Sequence, residues 1–343
     1  MDIDLRLITH NTDFQADFSK WINFPILPVL EGSSPNPWTR LTYALHNVRI
    51  IKKILQSLKI SKNKIFVNAS IDTLFETYCA TKAKVATGYN VLYNRVDSPL
   101  FALLDRLAVR TAIGKIVAHT EYHKNLYMKI GIEEKRIQII PHCIDVSRME
   151  KLASQSTGKT MEKPVIFYGG RLTIGKGIKE LLNSYQQISE QTESTLVIAG
   201  TGPLKEWMLE KKRVIEKNSK GGKIVYLGWQ PPNVILTKMC EADVVVSSSY
   251  VESFGIILLE AMSLKKPIVA SCSGGVSEII TDHVDGILVN PRDAKGLAKA
   301  ILELLDDSQM TTSIGFNAFE TVKKRYDTSK VASKFIEFME NND

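Results

Sequence analysis

The sequence predicts an α/β protein whose second half is a parallel, doubly wound sheet and whose first half repeats the theme less cleanly. Three observations carry that prediction. Short apolar runs alternate with helix-like stretches, the pattern that builds parallel sheets. The 343 residues suffice for two domains, each with its own core. Charge and glycine are also shared unequally: residues 1–150 carry 20 Lys and Arg against 14 Asp and Glu, +6 of the net +7, but only 4 of the 20 glycines. The basic half and the half rich in ligand-cradling turns therefore differ, and two domains with different tasks follow.

Taken in order, the first half offers strands near 5–9, 25–30, 64–69, 84–89, 115–120 and 137–142. The second half offers strands at 165–170, 194–200, 223–228, 242–249, 267–271 and 286–290, each followed by a helical pattern. Between them, 145–163 is polar, holds Ser154, Gln155, Ser156, Thr157 and Gly158, and lacks apolar periodicity, which marks a linker. The expected domains are 1–150, a linker at 151–163, a second domain at 164–325, and a helix over 326–343 that packs back towards the first domain.

Composition excludes several classes. Cys79, Cys143, Cys240 and Cys272 are scattered without a Cys-x-x-Cys pair, so neither a disulfide framework nor a zinc site is expected, and a reducing, cytoplasmic setting fits. No apolar run reaches membrane-spanning length, and Met1-Asp2-Ile3-Asp4-Leu5-Arg6 does not read as a signal peptide. His10, His46, His119, His123, His142 and His283 form no metal-binding cluster in sequence; His119, at a strand end, is the one best placed for substrate.

Two segments carry chemistry. Between Glu252 and Glu260 the chain reads Glu-Ser-Phe-Gly-Ile-Ile-Leu-Leu-Glu after the buried strand Ala242-Asp243-Val244-Val245-Val246-Ser247. Phe254-Gly255 is positioned to open a helix, whose N-terminal N–H groups suit an anion, beyond the carboxyl end of a strand, where open α/β sheets bind ligands. An eight-residue helix would separate the acids by ~12 Å, too far for a shared proton, so each is expected to grip a different part of one elongated ligand. Taken alone, the pair also fits an ordinary solvated helix face. The second segment, Gly169-Gly170-Arg171-Leu172-Thr173-Ile174-Gly175-Lys176-Gly177, follows the strand Val165-Ile166-Phe167-Tyr168. Its glycines permit close approach and its two cations call for a diphosphate. It lacks the Gly-Lys-Ser/Thr ending of a triphosphatase loop and the downstream acid of a dinucleotide site.

These segments stand in a longer order: Ile198-Ala199-Gly200-Thr201-Gly202-Pro203-Leu204, Tyr226-Leu227-Gly228-Trp229, Val269-Ala270-Ser271, Gly274-Gly275-Val276-Ser277-Glu278 and Asp285-Gly286-Ile287-Leu288-Val289. Over roughly 118–300 this order closely resembles the glycosyltransferase group 1 family, family 4. The resemblance implies a GT-B architecture: two Rossmann-like, doubly wound domains facing a central cleft, acceptor on the first and a nucleotide-diphosphate sugar on the second. It implies that Arg171 and Lys176 neutralise the donor diphosphate and that the backbone of Phe254, Gly255 and Ile256 binds its oxygens. Glu260 would take the ribose hydroxyls, and Glu252, grouped with the two cations as catalytic, the transferred sugar. Gly170, Gly200 and Gly202 would shape the nucleotide pocket and the backbone near Trp229 would meet the base. Relatives are retaining and metal-independent, which implies no cofactor beyond the donor substrate; two cations and a helix N-terminus can steady a leaving diphosphate without magnesium. The lone Asp-x-Asp, Asp2-Ile3-Asp4, reads as a solvated chain end.

The first half departs from the family. No glycine precedes Gly32 where relatives carry a glycine-rich loop, Tyr89 or Asn90 stands where many place a histidine, and Cys143 replaces a usual glycine in Ile139-Ile140-Pro141-His142-Cys143-Ile144-Asp145. Tyr89, Asn90 and His119 are the expected acceptor-side residues. A non-catalytic sugar-nucleotide or glycan-binding protein on the same fold is the competing reading; an epimerase lacks this arginine, lysine and double-glutamate order.

Residues 40–64 hold seven basic residues and no acid, with Leu41, Ala44, Leu45, Val48, Ile51, Leu55 and Leu58 at helical spacing. That pattern fits either a core-packed helix with a solvated basic face or attraction to an anionic membrane and a lipid-linked acceptor. The latter would place the protein peripherally at the inner membrane face. Nucleic acid is not expected, since Tyr43 is the only interleaved aromatic.

Overall fold

The computed structural model describes residues 8–9, 27–28, 66–70, 86–90, 116–129, 131–155 and 162–340. The basic segment 40–64 and Asp2-Ile3-Asp4 lie outside the described residues. The chain divides into two units, one of Met1–Val117, Tyr127–Gln138 and Asn342–Asp343, the other of Ala118–Leu126 and Ile139–Asn341.

In the first unit, β1 (Ile8–Thr9) and β2 (Leu27–Pro28) pair in parallel. A four-stranded sheet follows in the order β3 (Phe66–Ser70), β4 (Ala86–Asn90), β5 (Ile116–Ala118) and β6 (Ile137–Ile139), with β4 parallel to both of its neighbours. Tyr89 and Asn90 close β4, opposite Ala69 and Ser70. They therefore stand at the carboxyl end of an inner strand.

Helix α1 (Glu121–Lys129) follows β5, and α2 (Val146–Gln155) follows β6. Helix α2 shows that 146–155, read as lacking apolar periodicity, is helical, while 156–161 lie outside the described residues. Val146 and Met149 are buried in the core and Leu152 packs against it, so a three-residue apolar stripe suffices where most neighbours are polar.

The second unit alternates strand and helix: β7 (Val165–Gly169), α3 (Ile178–Ser189), β8 (Thr195–Ala199), α4 (Lys205–Asn218), β9 (Lys223–Gly228), α5 (Pro232–Cys240), β10 (Val244–Ser247), α6 (Ile256–Ser263), β11 (Ile268–Ser271), α7 (Val276–Ile279) and β12 (Ile287–Val289). Helices α8 (Ala294–Asp306), α9 (Ser308–Arg325) and α10 (Thr328–Glu340) complete it. The sheet is parallel throughout in the order β12-β11-β10-β7-β8-β9, the doubly wound arrangement the sequence predicts. Its strands read as unbroken apolar runs because both faces are covered. Phe167, Val197 and Val245 point to the core beneath α2, α5, α6 and α9, while Ile166, Tyr168, Leu196, Ile198, Val244 and Val246 point to the opposite core with α3, α4 and α8.

This topology creates a switch point of the kind at which open α/β sheets take ligands. The first strand of the unit, β7, lies between β8 and β10, so the chain order reverses at the β7–β10 boundary. The two segments singled out in the sequence are the turns that leave these strands at their carboxyl ends, the crevice at which doubly wound sheets take ligands.

Candidate functional site

Each turn is short because backbone binds backbone. Tyr250 N–H donates to Gly175 O at 2.9 Å, and Ser248 Oγ donates to Gly177 O at 2.9 Å and to Lys176 O at 3.1 Å. Gly177 sits at φ +65°, and a Cβ there would overlap the Ser248 carbonyl, so no other residue fits between the turns. A third turn joins from β8. Gly170 N–H donates to Ala199 O at 2.9 Å and Leu172 N–H to Thr201 O at 3.0 Å, while Leu204 N–H donates to Leu172 O at 3.0 Å. Gly200, at φ +133°, lets the Gly170 carbonyl lie where its Cβ would be. Gly170, Gly200 and Gly202 thus hold the Arg171 turn against its neighbour, a structural task beyond shaping a pocket.

The helices entering these turns leave their N-termini open. Helices α8 and α9 are capped by the carboxylates of Asp293 and Asp307, each accepting an N–H at 2.8 Å. Helices α3 and α6 begin instead after Gly177 and Gly255, with no capping side chain. Their first N–H groups and the positive ends of their dipoles face the turns and suit an anion. Phe254 supplies backbone to the α6 start while its ring is buried in the core, and the Ile256 side chain is exposed.

The acids and cations are arranged differently from the sequence expectation. Helix α6 starts only at Ile256, so Glu252 lies in the turn before it and only Glu260 is helical. The 252–260 stretch is not one helix, because Gly255 takes a left-handed conformation, φ +88°, and breaks it. Glu252 pairs with the Lys176 ammonium and also accepts from Ser249 Oγ at 3.3 Å. The Glu252 carbonyl accepts the Gly275 N–H at 2.8 Å, and the next carbonyl, of Ser253, accepts Thr120 Oγ at 3.0 Å. Arg171 is exposed and forms no ion pair among the described residues. One of the two expected cations is therefore free and the other is already matched.

Glu260 is half-buried, its carboxyl accepts no hydrogen bond among the described residues, and burial raises its pKa. An acid one turn into α6 that has no partner among the described residues is equipped to accept ligand hydroxyls. Trp229, 71% exposed, follows β9 at the same end of the sheet. Glu278, from the Gly274-Gly275 motif, accepts the N–H groups of Glu121 and Tyr122 at 2.7 Å each and so caps α1.

The fold also assembles histidines that are separate in the chain. His119 stacks on His142 with ring centroids 3.8 Å apart, and the His142 ring meets Phe254 edge-on at 5.0 Å. His119 Nδ1 donates to Ile140 O at 2.9 Å, and its backbone N–H reaches His123 Nδ1 at 3.5 Å. His119 thus has a structural bond beyond the expected substrate role. Burial and the neighbouring His119 hold His123 down to about 4; burial, His119 and His123 hold His142 down to about 3. Both are neutral at pH 7. An unfolded histidine binds its proton near the ordinary 6.5, so the unfolded chain takes up protons first as pH falls. Stability contributed here is full above about 6.5 and declines towards about 4. Urea unfolding at pH 7 and pH 5 is expected to show a loss at the lower pH that His142→Phe reduces; equal losses in both proteins would count against the stack as its source.

The family model described as glycosyl transferases group 1 matches residues 149–321. An uncharacterized glycosyltransferase of Methanocaldococcus jannaschii is 32% identical over 194 residues, covering 56% of this chain and 49% of that protein. The alpha-D-kanosaminyltransferase of Streptomyces kanamyceticus is 23% identical over 245 residues, 69% of this chain and 63% of that one. The match therefore spans about half of the first relative and under two thirds of the second. Among solved structures, Anabaena HepE in complex with UDP and glucose superposes with a TM-score of 0.75 at 19% identity, covering 95% of this chain and 89% of that one. That likeness is one of fold.

Proposed function

The chain belongs to the glycosyl transferases group 1 family and has the GT-B fold, and from that premise we propose that it moves a sugar from a nucleotide-diphosphate donor to an acceptor, with retention and without a metal ion. One observation carries the reading: the Lys176 turn and the uncapped start of α6 are stitched together at the β7–β10 switch point, bridged by Glu252. The donor diphosphate would lie there, met by Arg171, Lys176 and the α6 N–H groups. Glu260 would accept the ribose hydroxyls, Glu252 would hold the sugar, and the base would lie towards Trp229. The HepE structure contains UDP, which makes UDP-sugars the first donors to try.

Metal independence rests on this donor set. The groups facing the diphosphate are cations and N–H dipoles, which supply the positive charge that a divalent ion would otherwise bring. Purified protein given UDP-glucose and other nucleotide sugars is expected to release nucleoside diphosphate slowly without acceptor and to do so equally in EDTA. Loss of release in EDTA would overturn the metal-free reading, and tight donor binding with no turnover under any acceptor would favour the binding-protein alternative.

A further inference from the structure

We propose that Glu252 is the residue by which the site distinguishes a sugar-bearing nucleotide from the bare nucleoside diphosphate: it holds Lys176 until a sugar hydroxyl relieves it. The inference rests on the donor reading given above. Of the four charged groups at the switch point, Arg171 and Glu260 have no ion-pair or hydrogen-bond partner for their side chains among the described residues, whereas Lys176 and Glu252 are closed on each other. The Glu252 side chain is largely shielded, 16% exposed, while that of Lys176 is 36% exposed.

Both ends of the pair are fixed by backbone. The Lys176 carbonyl accepts Ser248 Oγ at 3.1 Å, and the Glu252 carbonyl accepts the Gly275 N–H at 2.8 Å. Only the two side chains are left to rearrange. A bare diphosphate that recruits Lys176 must separate the pair, leaving the Glu252 carboxylate shielded, short of donors and beside phosphate charge. Removing one partner from such a pair is costly, and like charges brought together add to the cost. A sugar on the second phosphate changes the balance, because its hydroxyls donate to Glu252 in place of the ammonium, and Ser249 Oγ keeps its own bond at 3.3 Å. Lys176 is then released to the diphosphate. After transfer the sugar is gone, Glu252 retakes Lys176, and the spent nucleotide loses a contact, which favours its departure.

Calorimetric titration of the full chain with UDP, ADP and GDP, and with the corresponding glucose nucleotides, tests this in the wild type, Glu252→Gln, Lys176→Met and the double variant. Glu252→Gln is expected to bind the preferred bare diphosphate about three- to ten-fold tighter, to bind the sugar nucleotide no tighter, and to show no such gain in the Lys176→Met background. Should Glu252→Gln fail to fold, as judged by its melting curve, Glu252→Ala is expected to give the same gain. Wild-type diphosphate binding that is unchanged or weakened in the folded Glu252 variants overturns the inference and leaves the donor reading standing, as does a gain that persists with Lys176→Met. Binding of no nucleotide by either folded protein removes the donor reading and this inference together.

Discussion

Glu260→Ala is expected to weaken nucleotide binding by about 10²–10⁴-fold while leaving the protein folded. Two ribose hydroxyls on one carboxylate make two charge-assisted hydrogen bonds at ~1.5–3 kcal/mol each, and both vanish together. The free protein sharpens the argument, because Glu260 has nothing else to do: its carboxyl accepts no bond among the described residues, and burial pushes its pKa up from 4.5. The sign of the linkage follows. The folded chain binds this proton more tightly than the unfolded chain, so stability declines as pH rises from about 4.5 through the raised value. Above that window the ionised acid is a burden that only a ligand removes. Glu260→Gln is therefore expected to melt higher than the wild type at pH 7 while binding nucleotide poorly. Unchanged nucleotide affinity in folded Glu260→Ala would remove the ribose assignment.

How much of this was legible in the sequence depends on the range of the contacts involved. All twelve strands expected from the apolar runs are present, because strand, turn and helix are local patterns. The site segments were legible too, since glycine, cation and acid follow each strand within a few residues. The Lys176–Glu252 pair was not, because it joins residues 76 apart that meet only when β10 is inserted beside β7. The histidine stack was missed for the same reason: His119 and His142 come from successive strand ends and were weighed one by one, His119 as a substrate contact. Within 146–155 the miss was of another kind: Val146, Met149, Leu152 and Ala153 recur at helical spacing, but over under three turns and among polar neighbours. Gly200 and Gly202 were read as shaping a nucleotide pocket; what approaches them in the fold is backbone, of Gly170 and of Leu172 respectively.

Lys176→Met is expected to lower turnover about 10²–10³-fold, equivalent to ~2.7–4 kcal/mol of barrier, while donor affinity falls by less than about ten-fold. The inequality comes from the pair already present in the free protein. Before the donor arrives, the ammonium is neutralised by Glu252, so engaging the diphosphate exchanges one anionic partner for another and adds little to ground-state binding. In the transition state the sugar–phosphate bond breaks and charge accumulates on the departing diphosphate. An ammonium whose backbone is fixed by the Ser248 hydroxyl on the Lys176 and Gly177 carbonyls is then worth more than before, and only such differential interaction accelerates the step. Arg171, exposed and without an ion pair among the described residues, has no internal competitor, so Arg171→Ala should show a larger share of its loss in binding. Comparing kcat and donor Kd for the two variants separates the roles. Equal losses in kcat and in affinity for Lys176→Met would make it a binding residue and leave stabilisation of the leaving group to the N-terminus of α6.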